Sequence, residues 1–338
     1  MQILNSKVNF IRLFLTVTSL ITLNFMTTSC VRDNSEMVPP STTAVVDETY
    51  VHKYGVAVPS DFWTKSGENG AVITAMGDGT VITRTYNAGL LDGETSYSYP
   101  HSSQTQKIEM YNNGTLLSVT EYYFSGSRQN ETKFDSPVGM KTVSTWYLSG
   151  TPRSIEIYNG ELLSSGEYFN INNNLDSSVD GSEGTRLVRD DYGQLISTDS
   201  IKKGLLALRT TYHTNNSPKE MIPYKNGVVD GSKQSFLPAG EPDTIEQWSD
   251  GQQHGTTTIY QHGEKFAEVP YNNGVKNGME QRYRNGQEVV KEVSWQNGQL
   301  HGPSTTYVGD TATTDWYYKG SPTTKNDYDF MVTRPVVR

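Results

Sequence analysis

Cysteine occurs once in 338 residues, at position 30, so the chain can build neither an internal disulfide framework nor a thiolate zinc site. Hydrophobic residues are scarce at 34%, against roughly 45–50% in ordinary globular domains, which excludes a thick core. Basic residues are outnumbered, with 28 Lys and Arg against 37 Asp and Glu and a formal charge of -9. Lys and Arg do not cluster, so affinity from counterion release is excluded and nucleic acid is not an expected partner. Between about residues 63 and 320 no window of a dozen residues keeps a helical period. Gly-x-Ser-x-Gly, phosphate-loop and His-Glu-x-x-His motifs do not occur, so no enzyme, cofactor or metal is expected. Glycine is plentiful at 30 residues and tyrosine at 21, with aromatics at 11%. A disordered chain has nothing to bury and lacks such rings. The chain therefore folds, thinly, around aromatic side chains.

Residues 1–12 carry Lys7 and Arg12 and no acid, and an apolar run from Leu13 to Met26 follows. This is the layout of an export signal; the run is short for spanning hydrocarbon, which takes about 20 apolar residues. Thr27-Thr28-Ser29-Cys30 then resembles a bacterial lipoprotein signal, in which a small residue precedes the cysteine that is lipidated and becomes the new N-terminus. The resemblance implies a signal peptide over 1–29, lipid on Cys30 and a membrane partner reached through it. Val31, in place of Asp, implies by the same resemblance the outer membrane, on its periplasmic or surface face. An ordinary signal peptide with an incidental cysteine and an uncleaved anchor are the alternatives. Cleavage leaves 26 bases against 37 acids, a surface that anionic headgroups repel, so acyl chains must supply attachment. Residues 30–47, with Pro39-Pro40 and Ser41-Thr42-Thr43, read as a tether, and 48–62 as a lead-in or cap.

From Trp63 to about residue 320 the chain repeats itself. One phrase recurs as Tyr86-Asn87-Ala88-Gly89-Leu90-Leu91-Asp92-Gly93, Tyr224-Lys225-Asn226-Gly227-Val228-Val229-Asp230-Gly231, Tyr271-Asn272-Asn273-Gly274-Val275-Lys276-Asn277-Gly278 and Trp295-Gln296-Asn297-Gly298-Gln299-Leu300-His301-Gly302, and again from Trp248. Worn copies start at Tyr111 and Tyr158. A second turn series, Gly240, Gly263, Gly286 and Gly309, runs at the same 23-residue interval. Two interleaved turn series at one period mean two strands per repeat. Asn-Gly and Asp-Gly pairs favour tight hairpins because those residues accept positive φ cheaply, and the segments between them mix β-branched, aromatic and polar residues as strands do. The expected fold is all-β: an elongated single-layer antiparallel meander of about ten ~23-residue hairpin repeats, each touching its neighbours. Stacking of the repeated rings on one another is expected to substitute for a packed interior. Residues 321–338 read as a C-terminal cap or tail.

The phrase resembles the bacterial variant of the MORN repeat, strongly over 224–309, moderately over 86–160 and weakly over 161–215. The resemblance implies a scaffold or interaction surface in an exported, lipid-anchored protein, with no shared active-site residues to carry over, and some members of the family are antitoxin-like partner binders. The expected function is a non-enzymatic envelope lipoprotein whose β-repeat surface engages an unidentified protein or a second copy of itself. The alternative is a glycan or cell-wall binding module using the aromatic row Tyr111, Tyr158, Tyr224, Trp248, Tyr271 and Trp295, since an exposed apolar stripe marks a contact. His254 and His301 occupy equivalent slots before the second glycine and are read as repeat positions. Asp190-Asp191 is read as solvated turn charge and Ser182 as a loop serine between repeats.

Overall fold

Positive backbone φ angles punctuate the chain at two alternating kinds of turn, and these set the architecture. In the computed structural model, which describes residues 44–135 and 139–333, Asn113-Gly114, Asn226-Gly227, Asn273-Gly274 and Asn297-Gly298 all place both residues at positive φ, for example 50° and 78° in the last pair. This is the type I′ turn, whose twist matches that of the strands it joins. Where the Asn-Gly signal is worn the geometry persists, with Ala88, Lys203 and Lys319 in the strained position. At the opposite edge, turns such as Tyr123 to Ser127 close with the Tyr123 N–H donating to the Ser127 carbonyl (2.9 Å) and the Gly126 N–H to the Tyr123 carbonyl (2.8 Å). Gly126 sits at φ 87°, and the ladder slips by one residue beside it, the three-residue hairpin with a bulge.

The hairpins join into one open antiparallel sheet of 28 strands among the described residues. Strands follow chain order, save that Val45–His52 lies between Ala57–Val58 and Gly70–Met76. Where the phrase keeps its second glycine, that glycine marks a bulge. After Val228–Val229, Gln252–Gln253 and Val275–Lys276 the ladder breaks, and the N–H groups of Asp230, His254 and Asn277 donate to Pro223, Gln247 and Pro270. The glycines that follow, Gly231, Gly255 and Gly278, have φ of 110°, 110° and 120°. A Cβ on Gly278 would lie 3.0 Å from Pro270 Cγ, so both conformation and space require glycine there.

Each edge carries its own rungs between repeats. On the type I′ edge the turn glycine donates to the preceding repeat: Gly251 to Val229, Gly274 to Gln253, Gly298 to Lys276 and Gly320 to Leu300, at 2.8–2.9 Å. The residue before the second glycine adds a side-chain rung. Asp92 accepts from the Asn113 N–H, Asp230 from the Asp250 N–H, and His301 Nδ1 from the Lys319 N–H (3.3 Å). On the other edge a ring reaches one repeat ahead: Tyr99 OH to the Tyr122 carbonyl, Tyr123 OH to Trp146, Tyr147 OH to Phe169, and His213 Nε2 to Phe236, each 22 or 23 residues on.

Register places nearly all the buried strand residues on one face, including Val72, Thr95, Asp199, Val269, Glu280 and Val293. A one-layer sheet can bury one face only by coiling toward it. The coil tightens sharply between residues 123 and 209. Tyr123 OH donates to Asp191 Oδ1 at 2.8 Å across 68 residues, whereas six strand spacings in a flat sheet would separate those turns by about 29 Å. Inside this pinch lie Tyr147, fully buried, and the apolar cluster of Leu163, Tyr168, Val179 and Ile201, with Tyr158, Leu187 and Leu206 against it.

Several boundaries differ from the sequence reading. The signal peptide and Cys30 lie outside the described residues, but residues 45–47, assigned to the tether, already belong to Val45–His52 because they pair with Ala75 and Met76. Trp63 is not a repeat ring: it sits on α1 (Ser60–Lys65), 4% exposed, tilted against Tyr50 and edge-on to Tyr86. The far end is closed by Ser321–Thr323 and α2 (Lys325–Thr333), whose Tyr328 packs on Trp316, His301 and Tyr318. Ser182 is not in a loop between repeats but in a two-residue turn with Gly181, both at positive φ. No described helix is long and apolar enough to cross a membrane.

Candidate functional site

All six rings of the aromatic row, Tyr111, Tyr158, Tyr224, Trp248, Tyr271 and Trp295, are half-buried on the crowded face. They do not stack on one another. Equivalent rings are two strands apart, about 10 Å, and the intervening position is glycine: Tyr111 opposes Gly93, Trp248 Gly231, Tyr271 Gly255 and Trp295 Gly278. A ring thus covers the backbone that a glycine leaves bare. The close ring pairs among the described residues lie elsewhere, mainly at the two ends.

What accompanies the rings is charge. Tyr111 OH donates to Glu109, Tyr158 OH to Glu156 (2.7 Å), Trp248 Nε1 to Glu246 (2.7 Å) and Trp295 Nε1 to Glu280 (3.0 Å). Lys276 Nζ lies 4.5 Å from the Trp295 ring centre and also binds Glu280, which Arg282 clasps from the other side at 2.8 Å. Burial pushes the Glu280 carboxyl up, but Arg282 and Lys276 outweigh it and hold it below the usual carboxylate range. Tyr158 is pushed up to about 12 by burial and the Glu156 charge.

The largest departure from the repeat falls at the pinch. Four of the twelve arginines, Arg153, Arg186, Arg189 and Arg209, line one groove of about 370 Å³ with Glu156 and Tyr168. Asp199, with no exposed surface, organises it: Arg186 donates through Nε and Nη2, Arg209 through Nε and Nη2, at 2.7–3.0 Å. Burial opposes the Asp199 charge, yet the two guanidinium groups hold its carboxyl below the ordinary range. Arg153 binds Asp191 at 2.9 Å and Arg189 binds Asp176 at 2.7 Å. Asp191 is therefore not solvated turn charge; it ties Arg153 and Tyr123 together, while Asp190 accepts the N–H groups of Tyr192 and Gln194 in its own turn.

The arginines are spaced by 33, 3 and 20 residues, off the repeat period, and for that reason periodicity did not expose them. The rung-forming rings did leave a signal: Tyr123 and Tyr147 each stand three residues before a turn glycine, Gly126 and Gly150. His254 is exposed, while His301 makes the rung to Lys319 and packs on Tyr318 and Tyr328. Among the described residues no three His, Cys, Asp or Glu side chains gather as metal ligands do.

No protein-family model matches the chain, and no curated protein matches it. Among solved structures, TarM is similar over 33% of this chain at 11% identity and a TM-score of 0.18. TcdB2-TccC3-TEV is similar over 79% of this chain at 12% identity and a TM-score of 0.20, and a porin-like protein from Bacteroides uniformis over 75% at 10% identity and 0.14. The chain spans 20% of the length of the first and 15% of the second, and 88% of the third. Likenesses of this size assign neither a family nor an activity.

Proposed function

We propose that the chain is a non-enzymatic, lipid-anchored envelope protein of the MORN-variant kind, whose continuous β-repeat surface serves as a scaffold for a protein partner. The observation that carries this reading is the pair of rung series. They extend one surface repeat after repeat while consuming the phenols, imidazole and turn amides that a catalytic centre would otherwise use. Charged side chains on the crowded face are likewise engaged with one another. Long repeat surfaces of this build suit extended contacts better than enclosed chemistry. The experiment is cross-linking of the full-length protein in its own envelope, followed by partner identification. A discrete partner lost on replacing exposed positions of the uncrowded face, such as Glu167→Lys with Met279→Lys, supports the scaffold. An uncross-linked chain at native abundance sinks it. For the anchor, Cys30→Ala should abolish partitioning into detergent, and unchanged partitioning removes the lipid.

The glycan reading has one observation in its favour, namely that the six rings share a face, the last four of them, Tyr224, Trp248, Tyr271 and Trp295, at intervals of one repeat. Tryptophan fluorescence of the intact protein titrated with cell-wall fragments separates the two: quenching that disappears in Trp248→Ala favours glycan, and a flat response across the panel disposes of it.

A further inference from the structure

We infer that the arginine groove at the pinch is a binding site for a small oxyanion, carried on a unit about the size of one sugar, such as a uronate or a sugar phosphate. It stands independently of the scaffold reading, since it rests on side-chain chemistry at one place. The first ground is what a ligand would meet. The arginine side chains in the groove keep 20–33% of their surface exposed, whereas Glu156 keeps 12% and Asp199 none. Asp199 lies behind the guanidinium groups, and Asp176 and Asp191, 24% and 42% exposed, hold Arg189 and Arg153 from outside the lining, so four guanidinium groups face one lining carboxylate, Glu156, within a chain of net charge -9.

The second ground is the donor count. A guanidinium has five N–H groups, and here several have no acceptor. Arg153 uses Nε on Thr145 and Nη1 on Asp191 and the Arg189 carbonyl, leaving Nη2. Arg209 uses Nε and Nη2 on Asp199, leaving Nη1. Arg186 also spends Nε and Nη2 on Asp199, and its Nη1 lies 3.9 Å from Glu156, beyond hydrogen-bond reach. Arg189 uses Nη1 and Nη2, and its Nε, though unpaired, has no accessible surface, so Arg189 contributes charge and not a free donor. Unused donors on three mostly buried arginines, Arg153, Arg186 and Arg209, held in place by ion pairs, form a preorganised fork for carboxylate or phosphate. Tyr168, Leu187 and Val188 supply a firm wall beside the donors, and the volume admits a group larger than a bare ion.

The test is isothermal titration of the whole protein with sodium glucuronate, inorganic phosphate and glucose, each up to about 10 mM. Saturable binding of glucuronate, weakened by added salt and absent for glucose, is expected. Phosphate binding equally well marks recognition of the oxyanion alone, and tighter glucuronate binding adds the ring to the site. Arg153→Gln and Arg209→Lys should each weaken binding about 10-fold or more. Should either variant unfold, the intact protein still decides the matter, because the arginine Nε–H resonances of the groove must shift on addition of glucuronate. Failure of both anions to saturate, equal affinity for glucose, or binding with no shift of those resonances overturns the proposal.

Discussion

At the scale of single residues, the fold depends on a few positions where chemistry admits one solution. Asp199 has no exposed surface and accepts two guanidinium groups. Removing one partner of a buried ion pair leaves uncompensated charge, so Asp199→Ala should cost about 3–5 kcal/mol in urea unfolding. A loss below about 1 kcal/mol would mean that water already solvates the pair. Glycines offer a graded comparison. Gly274 has φ 81° and open space where a Cβ would sit, so alanine meets only the left-handed penalty of roughly 1–2 kcal/mol. Gly278, at φ 120° with Pro270 3.0 Å away, should cost clearly more, and equal melting points for the two variants would contradict the bulge assignment. Gly274 was legible as a turn residue from its Asn neighbour. The role of Gly278 was not, because nothing adjacent in sequence shows that another strand approaches it.

At the scale of the hairpin, the two-strand repeat and its period could be read directly, because Asn-Gly pairs and glycines recur at fixed intervals and each pins a turn. Ring stacking could not, since a period of two strands puts equivalent rings too far apart and a glycine between them. The rungs from Tyr99, Tyr123 and Tyr147 were less legible: a tyrosine three residues before a turn glycine marks Tyr123 and Tyr147 as recurrent positions, but nothing local shows that the phenol reaches a carbonyl one repeat away. Tyr147→Phe keeps the buried ring but strands the Phe169 carbonyl, so it should cost about 1–3 kcal/mol. Hydrogen exchange should rise first at the turns near residues 147–151 and 170–174; uniform exchange along the sheet would show that the rungs are not local ties.

For the whole sheet, charge sets a stability window. Glu109, Glu268, Glu280 and Asp199 have carboxyls held low, chiefly through the balance of burial against Lys, Arg and tyrosine partners. Their contribution is complete above the ordinary carboxylate value of about 4 and is lost as pH falls through their lower folded values. Tyr97, Tyr123 and Tyr158 are raised to about 12, first by burial and then by Glu109, Asp191 and Glu156. Their contribution is present below the free tyrosine value of about 10 and is lost as pH rises through the folded one. The melting temperature should therefore hold a plateau from about pH 5 to 9 and fall on both sides, and a steady rise through pH 11 would contradict the buried phenol–carboxylate pairs.

The pinch divides the tract into two regimes of inheritance. Between residues 224 and 320 every turn leans only on its predecessor, so excising one whole unit, for example 249–271, brings like against like and leaves a shorter sheet in register. Between 123 and 209 the Tyr123–Asp191 clasp spans three units, and the same excision would take two strands from between its ends or remove one of them. Length can drift by duplication in the first stretch, whereas the second must be passed on intact.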